Sequence, residues 1–286
     1  MPELPEVQTI VSELQRKIKG KKIKFVEVRA ERVSQPSGRI LKLKLPGQVI
    51  KSVSRRAKMI VIDLGGDHNL LIHLKMTGQL VYVSKAGQKT SGGHPIGEVG
   101  ILPNKFSHVI IHFTDGSVLY FNDIRKFGWV RYVTNLDRDL EKEKYGLEPF
   151  DKKYTLANFK AILSKYKNKK IKQLLMEQDK LAGVGNIYAD ESLFIARIRP
   201  TRLAGSLNEK EIKALYSAIP KILKFAISKG GTTADNYVRT DGTKGQMIKY
   251  LKVYGRQGEK CKRCGGVVYK IRLAGRGTHY CPACQK

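Results

Sequence analysis

Cysteine is scarce and confined. The chain has 286 residues and four cysteines, all within its last 26 residues. A disulfide framework spread through the fold is excluded, and one local site is indicated instead. Long apolar runs are missing as well. No stretch reaches the ~18 residues that a membrane span needs. The N-terminus carries no apolar leader segment, so the expected protein is soluble and cytoplasmic. Carboxylates are few: 25 Asp and Glu stand against 54 Lys and Arg, a formal net charge of +29. That excess is beyond what solubility requires. It implies a polyanionic partner, nucleic acid first and an anionic membrane surface second. Internal repeats are absent too. What is present is 41% apolar residues, compatible with real cores, and length for about two domains of ~150 residues each.

The first seven residues, Met1 to Val7, read as the organising stretch. A small residue in second position generally allows Met1 to be trimmed. Pro2 would then carry a free secondary amine, and a free α-amino group has a pKa of roughly 7.7–8. An amine that is partly uncharged near neutrality can attack an electrophilic carbon and form a Schiff base. Glu3 beside it, and Glu6 a turn further on, could move the proton. The same residues admit a plainer reading. Pro5 is acceptable in the first turn of a helix, and Glu3 and Glu6 complement the positive end of its dipole. Val7, Ile10, Val11, Leu14 and Ile18 recur at helical spacing up to the stop at Gly20.

Residues 22–133 read as strands. Lys22 to Val28, Ile40 to Leu45, Met59 to Leu64, Leu70 to Leu74, Val109 to Phe113 and Val118 to Phe121 are the expected runs. Asp115-Gly116 is a hairpin signal. Short strands joined by tight turns predict a sandwich or barrel. Residues 84–105, rich in Gly, Lys and Ser, read as a mobile loop. From residue 134 the period changes. Helices are expected over 155–167, 170–178, 186–197 and 207–229. Ser206 to Glu209 would cap the last, and Pro220 should kink or split it. Residues 230–247 read as a glycine-rich loop.

Cys261-x-x-Cys264 and Cys281-x-x-Cys284 are separated by 16 residues. Two such knuckles at that distance predict a four-thiolate zinc site, closed and therefore structural. Val267 to Leu273 is strand-like, so the metal would hold a β-hairpin that presents Arg276 at its tip. Leu181 to Asn186 joins two helices through glycines, and Asn186 opens the second, where a phosphate is favoured. A packing hairpin without a ligand fits that segment equally well. Lys165, Lys167, Lys169, Lys170 and Lys172 lie just upstream as a basic run. Lys58 follows Arg55-Arg56-Ala57 at a strand start, where a surface role is the commoner one. His73-Leu74-Lys75-Met76 ends a strand, and Asn122 to Gly128 follows a hairpin. Met, Arg and Phe at such ends can be ordinary packing. They are also the types that wedge into a duplex when a base leaves the stack.

Taken together, these segments closely resemble the bacterial formamidopyrimidine-DNA glycosylase family. The resemblance runs through MPELPEV, RRAK around Lys58, HLKMTG, NDIRKFG, AGVGNIYADESLF, GGTT, VYGR and GRGTHYCPACQK, in order from Met1 to Lys286. Met-Pro-Glu-Leu favours this family over the related endonuclease VIII, which prefers oxidised pyrimidines. The resemblance implies a monomeric α+β multidomain enzyme. Its parts would be an N-terminal β-sandwich with an N-terminal helix over 1–133, a helical helix–two-turn–helix domain with a lesion loop over 134–247, and a four-Cys zinc-finger β-hairpin over 248–286. It implies double-stranded DNA with oxidised bases or abasic sites as partner, with no membrane, and one structural Zn2+.

The resemblance also implies site roles. Pro2 would be the nucleophile and Glu3 the general acid on the sugar, with Lys58, Arg276 and Glu6 completing the catalytic set. Met76, Arg125 and Phe127 would fill the gap left by the flipped base. Lys167 and Asn186 would bind phosphate, and His73 would be a further DNA-binding residue. Three places depart from the family pattern: Lys105-Phe106-Ser107-His108 replaces the usual Lys-His-Asp-His, residues 84–105 are longer than usual, and Ile198-Arg199-Pro200 is unusual. An endonuclease VIII-like specificity, or a non-catalytic zinc-stapled nucleic-acid binder, are the alternatives. Intact Pro2, Glu3 and Lys58 speak against the binder.

Overall fold

Helix α1 (Leu4–Ile18) begins as its spacing predicts. Glu3 is its N-cap, the Glu3 N–H donates to Glu6 Oε2 at 2.9 Å, and the reciprocal arm closes a capping box. Val7, Ile10, Val11, Leu14 and Ile18 are all buried in one core cluster. The structure is a computed structural model, and it describes residues 1–93, 101–232 and 246–286. The chain forms two compact units. Met1–Glu143 with Lys229–Gln246 make the first, and Lys144–Ser228 with Met247–Lys286 the second. The cysteine-bearing tail packs into the same unit as the helices.

In the first unit α1 is followed by β1 (Ile23–Val28), β2 (Ser34–Gln35), α2 (Gly38–Lys44), β3 (Ser52–Arg56), β4 (Met59–Asp63) and β5 (His68–His73). Then come β6 (Gly78–Val83), β7 (Lys89–Gly93), β8 (Ser107–Phe113), β9 (Val118–Asp123), β10 (Trp129–Thr134) and α3 (Asn135–Glu143). Two five-stranded sheets result, in the orders β1-β8-β9-β6-β7 and β2-β10-β5-β4-β3. Their inner faces supply Ile60, Ile72, Ile111, Phe113 and Phe121 to the core that also receives α1, so the expected sandwich is found. One expected strand is a helix. Ile40 to Leu45 alternates in sequence, but Ser37 accepts the Ile40 N–H and starts α2. Leu41 and Leu45, four apart, are the buried pair, and Leu43 is exposed. A period of four won over a period of two. Part of the expected 84–105 loop is β7. Residues 94–100, and residues 233–245 of the expected 230–247 loop, lie outside the described residues.

The second unit holds α4 (Leu156–Lys165), α5 (Ile171–Met176), α6 (Asn186–Ala196) and α7 (Glu209–Ser228), then a hairpin of β11 (Tyr269–Leu273) and β12 (Arg276–Tyr280). The cap of α7 sits two residues beyond the expected one. Asn208 Oδ1 accepts the Glu211 N–H at 3.0 Å and Glu211 Oε2 accepts the Asn208 N–H at 2.8 Å. Glu209, the expected partner, pairs with Lys160 instead. Nor does Pro220 split α7, which runs through it. Proline removes the N–H that would bond the Tyr216 carbonyl. That carbonyl accepts the Tyr154 hydroxyl at 3.0 Å, and the Tyr216 hydroxyl donates back to the Tyr154 carbonyl at 2.9 Å.

Candidate functional site

The first unit gathers eight of the expected site residues: Pro2, Glu3, Glu6, Lys58, His73, Met76, Arg125 and Phe127. Pro2 is half-buried immediately before the cap of α1, and Glu3 is 3% exposed. Helix α1 is pinned to β3 by two glutamines. Gln8 Oε1 accepts Arg55 Nε at 2.7 Å, and Gln15 Oε1 accepts the Val53 N–H at 2.5 Å. The β3–β4 hairpin then turns through Ala57, at φ +53°, and Lys58. Lys58 is 3% exposed, although hairpin-turn lysines ordinarily point to water. The sequence alone favours a surface role for this residue, and the structure buries it.

Met59 pairs with His73 across β4 and β5. His73 Nδ1 accepts the Lys75 N–H at 3.0 Å, which leaves Nε2 as the N–H side of the neutral ring. Burial, with the cations of Lys75 and Lys58 beside it, pushes His73 down to about 3. The ring is therefore neutral at any physiological pH. Beyond His73, Met76 is 37% exposed, and Phe127 on the next loop is 44% exposed. Arg125 lies over the Phe127 ring at 4.5 Å. Met1, Arg32, Gln35, Lys75, Met76 and Phe127 are among the residues lining a cleft of about 480 Å³. Cations and exposed apolar tips line it together, as a surface that meets both phosphates and bases would require.

Asp123 holds this loop, and the sequence reading gave it no role. It is fully buried. One carboxylate oxygen accepts the Thr77 hydroxyl and the Arg125 N–H at 3.1 Å; the other accepts the Gly128 N–H at 2.7 Å. An Asp bonding the N–H two residues on is a turn signal that could have found it. A Cβ at Gly128 would lie 2.8 Å from the Phe121 ring and 2.9 Å from the His73 carbonyl oxygen. Only glycine permits that approach. Thr232 was missed as well. Glu6 Oε1 accepts its N–H at 2.7 Å and its hydroxyl at 2.9 Å, while Oε2 serves the cap of α1. The Glu6 carboxylate thus holds the end of the described GGTT segment against the N-terminal helix.

The second unit carries Lys167, Asn186, Arg276 and the four cysteines. Lys167 and Arg276 are exposed, and Asn186 is half-buried. Asn186 is the first residue of α6, after Gly185 as N-cap, and no protein group bonds its buried Oδ1 among the described residues. Gln178 shapes the turn before it by accepting the Gly183 N–H at 3.0 Å and donating to the Val184 carbonyl at 2.7 Å. The sulfurs of Cys261, Cys264, Cys281 and Cys284 all lie within 4.8 Å of one another. The Cys261–Cys284 and Cys264–Cys281 separations are 3.8 and 3.6 Å. Those are far too long for disulfides, whose sulfurs lie ~2.05 Å apart. Zinc–sulfur bonds of ~2.3 Å in a tetrahedron place sulfurs ~3.8 Å apart. The thiols fit a closed zinc site, and the Arg263 N–H donates to Cys261 Sγ at 3.4 Å.

The tail reaches the helices through two buried carboxylates. Glu191 accepts the N–H groups of Lys252, Val253 and Tyr254 at 2.9–3.0 Å. Asp190 accepts the His279 N–H at 2.8 Å.

Family models agree with this order of parts. The formamidopyrimidine-DNA glycosylase N-terminal domain matches residues 1–130, the H2TH domain of the same enzymes 145–237, and a zinc finger found in FPG and IleRS 258–286. A formamidopyrimidine-DNA glycosylase from Listeria innocua is 40% identical over 291 residues, with all of both chains covered. The chain belongs to the formamidopyrimidine-DNA glycosylase family. Another member, from Heliobacterium modesticaldum, is 38% identical over 290 residues, again with full coverage of both chains. Among solved structures, Lactococcus lactis Fpg in complex with DNA containing an abasic site matches all of both chains at 36% identity and a TM-score of 0.88. The same Lactococcus lactis enzyme has been solved with DNA containing an oxidised pyrimidine, at a TM-score of 0.86 and 36% identity. Membership of this family accounts for the zinc site and the sandwich-plus-helices architecture together. No helix among the described residues is long and apolar enough to cross a membrane.

Proposed function

We propose that the chain is a base-excision-repair DNA glycosylase that removes oxidised purines from duplex DNA and then cleaves the abasic site as a lyase. The observation that carries this is the N-terminus: Pro2 stands directly before a helix whose cap buries Glu3, in a chain matched from end to end by glycosylases of this family. With Met1 removed, the Pro2 nitrogen attacks the sugar C1′. The C1′–base bond breaks and the departing base takes up the proton that the Pro2 nitrogen sheds; the ring oxygen takes a proton from Glu3, and an iminium joins Pro2 to the opened sugar. Loss of a C2′ proton expels the 3′ phosphate, and a second elimination expels the 5′ phosphate.

Lys58, buried in the β3–β4 turn, contacts phosphate and assists these eliminations. His73 donates from Nε2 to the backbone. Met76, Arg125 and Phe127 occupy the space of the flipped base. Lys167, Asn186 and Arg276 hold phosphates from the second unit. Zinc supplies rigidity to the finger that carries Arg276.

Borohydride trapping tests this reading. An adduct should form at the processed Pro2, and retaining Met1 should abolish it while leaving DNA affinity largely intact. Glu3→Gln should bind and fail to excise. Peptide mapping that places the adduct on a lysine would sink the nucleophile assignment. A second specificity, for oxidised pyrimidines, is favoured by the related Lactococcus lactis complex. A panel of duplexes with purine and pyrimidine lesions decides between them.

A further inference from the structure

One buried ion pair in the second unit ligates no metal, and its position gives it another task. Lys172 on α5 and Asp190 on α6 have side chains 1% and 0% exposed and meet at 2.7 Å. The Lys172 ammonium also donates to the Gly277 carbonyl at 3.0 Å and to the Thr278 hydroxyl at 2.8 Å. The Thr278 hydroxyl in turn donates to the Arg276 carbonyl at 3.3 Å. The second Asp190 oxygen accepts the His279 N–H at 2.8 Å. One pair thus grips Gly277, Thr278 and His279, the three residues after Arg276.

Burying two charges is costly, and an apolar pair of similar volume often packs as well or better. What charges provide and apolar groups do not is direction. The zinc knuckles sit at the other end of this hairpin. Five-residue strands rise about 17 Å from there to the turn, so zinc stiffens the finger but does not by itself set where the tip lies against the helices. The pair does, and it ties the tip to a particular helix. Asp190 lies four residues, about 6 Å of helix, beyond Asn186.

We propose that Lys172–Asp190 is a positioning pair that fixes the spacing between two phosphate contacts, Asn186 at the start of α6 and Arg276 on the hairpin. The two then meet DNA as one preformed bracket, with little ordering left to do on binding. This rests on the reading above that both residues contact phosphate.

The test is a double-mutant cycle in the full-length, zinc-loaded protein, using a duplex with a tetrahydrofuran abasic analogue. Lys172→Met with Asp190→Leu removes both charges and leaves neither one stranded. Melting temperature and zinc content report the fold. The variant should keep its zinc, and its log Kd against log salt should be shallower by roughly 0.9, one phosphate contact. Arg276→Ala should weaken binding about tenfold in the unaltered chain and less than twofold in the altered one. An equal loss in both backgrounds overturns the proposal, since a merely structural pair would leave the Arg276 contact intact. Should the double variant fail to fold, Lys172→Gln carries the same cycle: its shorter, neutral amide cannot hold Asp190, Gly277 and Thr278 together. A full Arg276 effect in that background overturns the proposal too. If Arg276→Ala is silent in the unaltered chain, the bracket is wrong whether or not the enzyme works. Absence of a borohydride adduct, by contrast, speaks only against the enzymatic reading.

Discussion

Replacing Asp123 should dismantle the loop that carries Arg125 and Phe127. The carboxylate is fully buried and accepts from the Thr77 hydroxyl, the Arg125 N–H and the Gly128 N–H. In Asp123→Ala the Arg125 N–H keeps a second acceptor, the Thr77 hydroxyl oxygen at 3.1 Å. The Gly128 N–H loses its carboxylate, and an unsatisfied buried donor costs about 1–3 kcal/mol. Each lost bond to a charged group contributes about 1.5–3 kcal/mol. The losses share one carboxylate and do not add fully, so a total of about 3–5 kcal/mol is expected. With a urea slope of about 1–3 kcal/mol/M the midpoint should fall by roughly 1 M or more. Affinity for an abasic duplex should fall at least about tenfold, a loss of about 1.4 kcal/mol. Phe127→Ala is the control. Its side chain is nearly half exposed, so stability should move by less than about 0.5 kcal/mol while DNA affinity falls. A loss in Asp123→Ala below about 1 kcal/mol would refute the reasoning. So would a destabilised protein that binds DNA as well as before, because the loop would then be held by something else.

Three further outcomes are expected. His73 is lowered from 6.5 to about 3, so the folded state binds fewer protons than the unfolded state between those values. Stability on its account is complete above pH 6.5 and is lost as pH falls toward 3, by about 3–5 kcal/mol; acid titration of His73→Asn should lack that part of the slope. Removing zinc with a chelator should lower DNA affinity and loosen the last ~40 residues, while circular dichroism of the sandwich and α7 persists; a native, reduced protein that holds no zinc would contradict the assignment. DNA affinity should fall with salt at a log–log slope steeper than about −3, as several phosphate contacts require; a flat response would divorce the +29 charge from nucleic acid.

Local pattern was enough for some of this molecule. Helix α1 follows from five apolar residues at one spacing, and the zinc site from two knuckles whose chemistry admits few other uses. Pattern failed where two periods coincided. Ile40 to Leu45 satisfies both a strand and a helix, and only the cap at Ser37 decides. It failed again where the deciding partner is remote in sequence. Nothing near Lys58 in the sequence indicates its burial. Nothing near Glu6 indicates Thr232, and nothing near Lys172 indicates the backbone of the hairpin 105 residues away. The proposed site residues could be named because the family resemblance supplied them. The residues that hold them in place could not, since burial and hydrogen bonding across the fold select those.

The bond between Tyr154 and the Tyr216 carbonyl constrains how this helix could have arisen. A chain that acquired Pro220 first would have left a carbonyl in α7 without its N–H, at a cost of about 1–3 kcal/mol where it is buried. A chain that acquired Tyr154 first would have stacked it on Tyr216, as it does now at 4.7 Å between ring centroids, with the hydroxyl ready when proline came. The second order avoids that cost. The two positions should therefore not be exchangeable singly among relatives: lineages with phenylalanine at 154 should lack proline at 220, while lineages with tyrosine at 154 are free to have it or not. Grafting Pro220 alone into a relative that carries phenylalanine at 154 should lower its melting temperature, and adding the tyrosine should restore it.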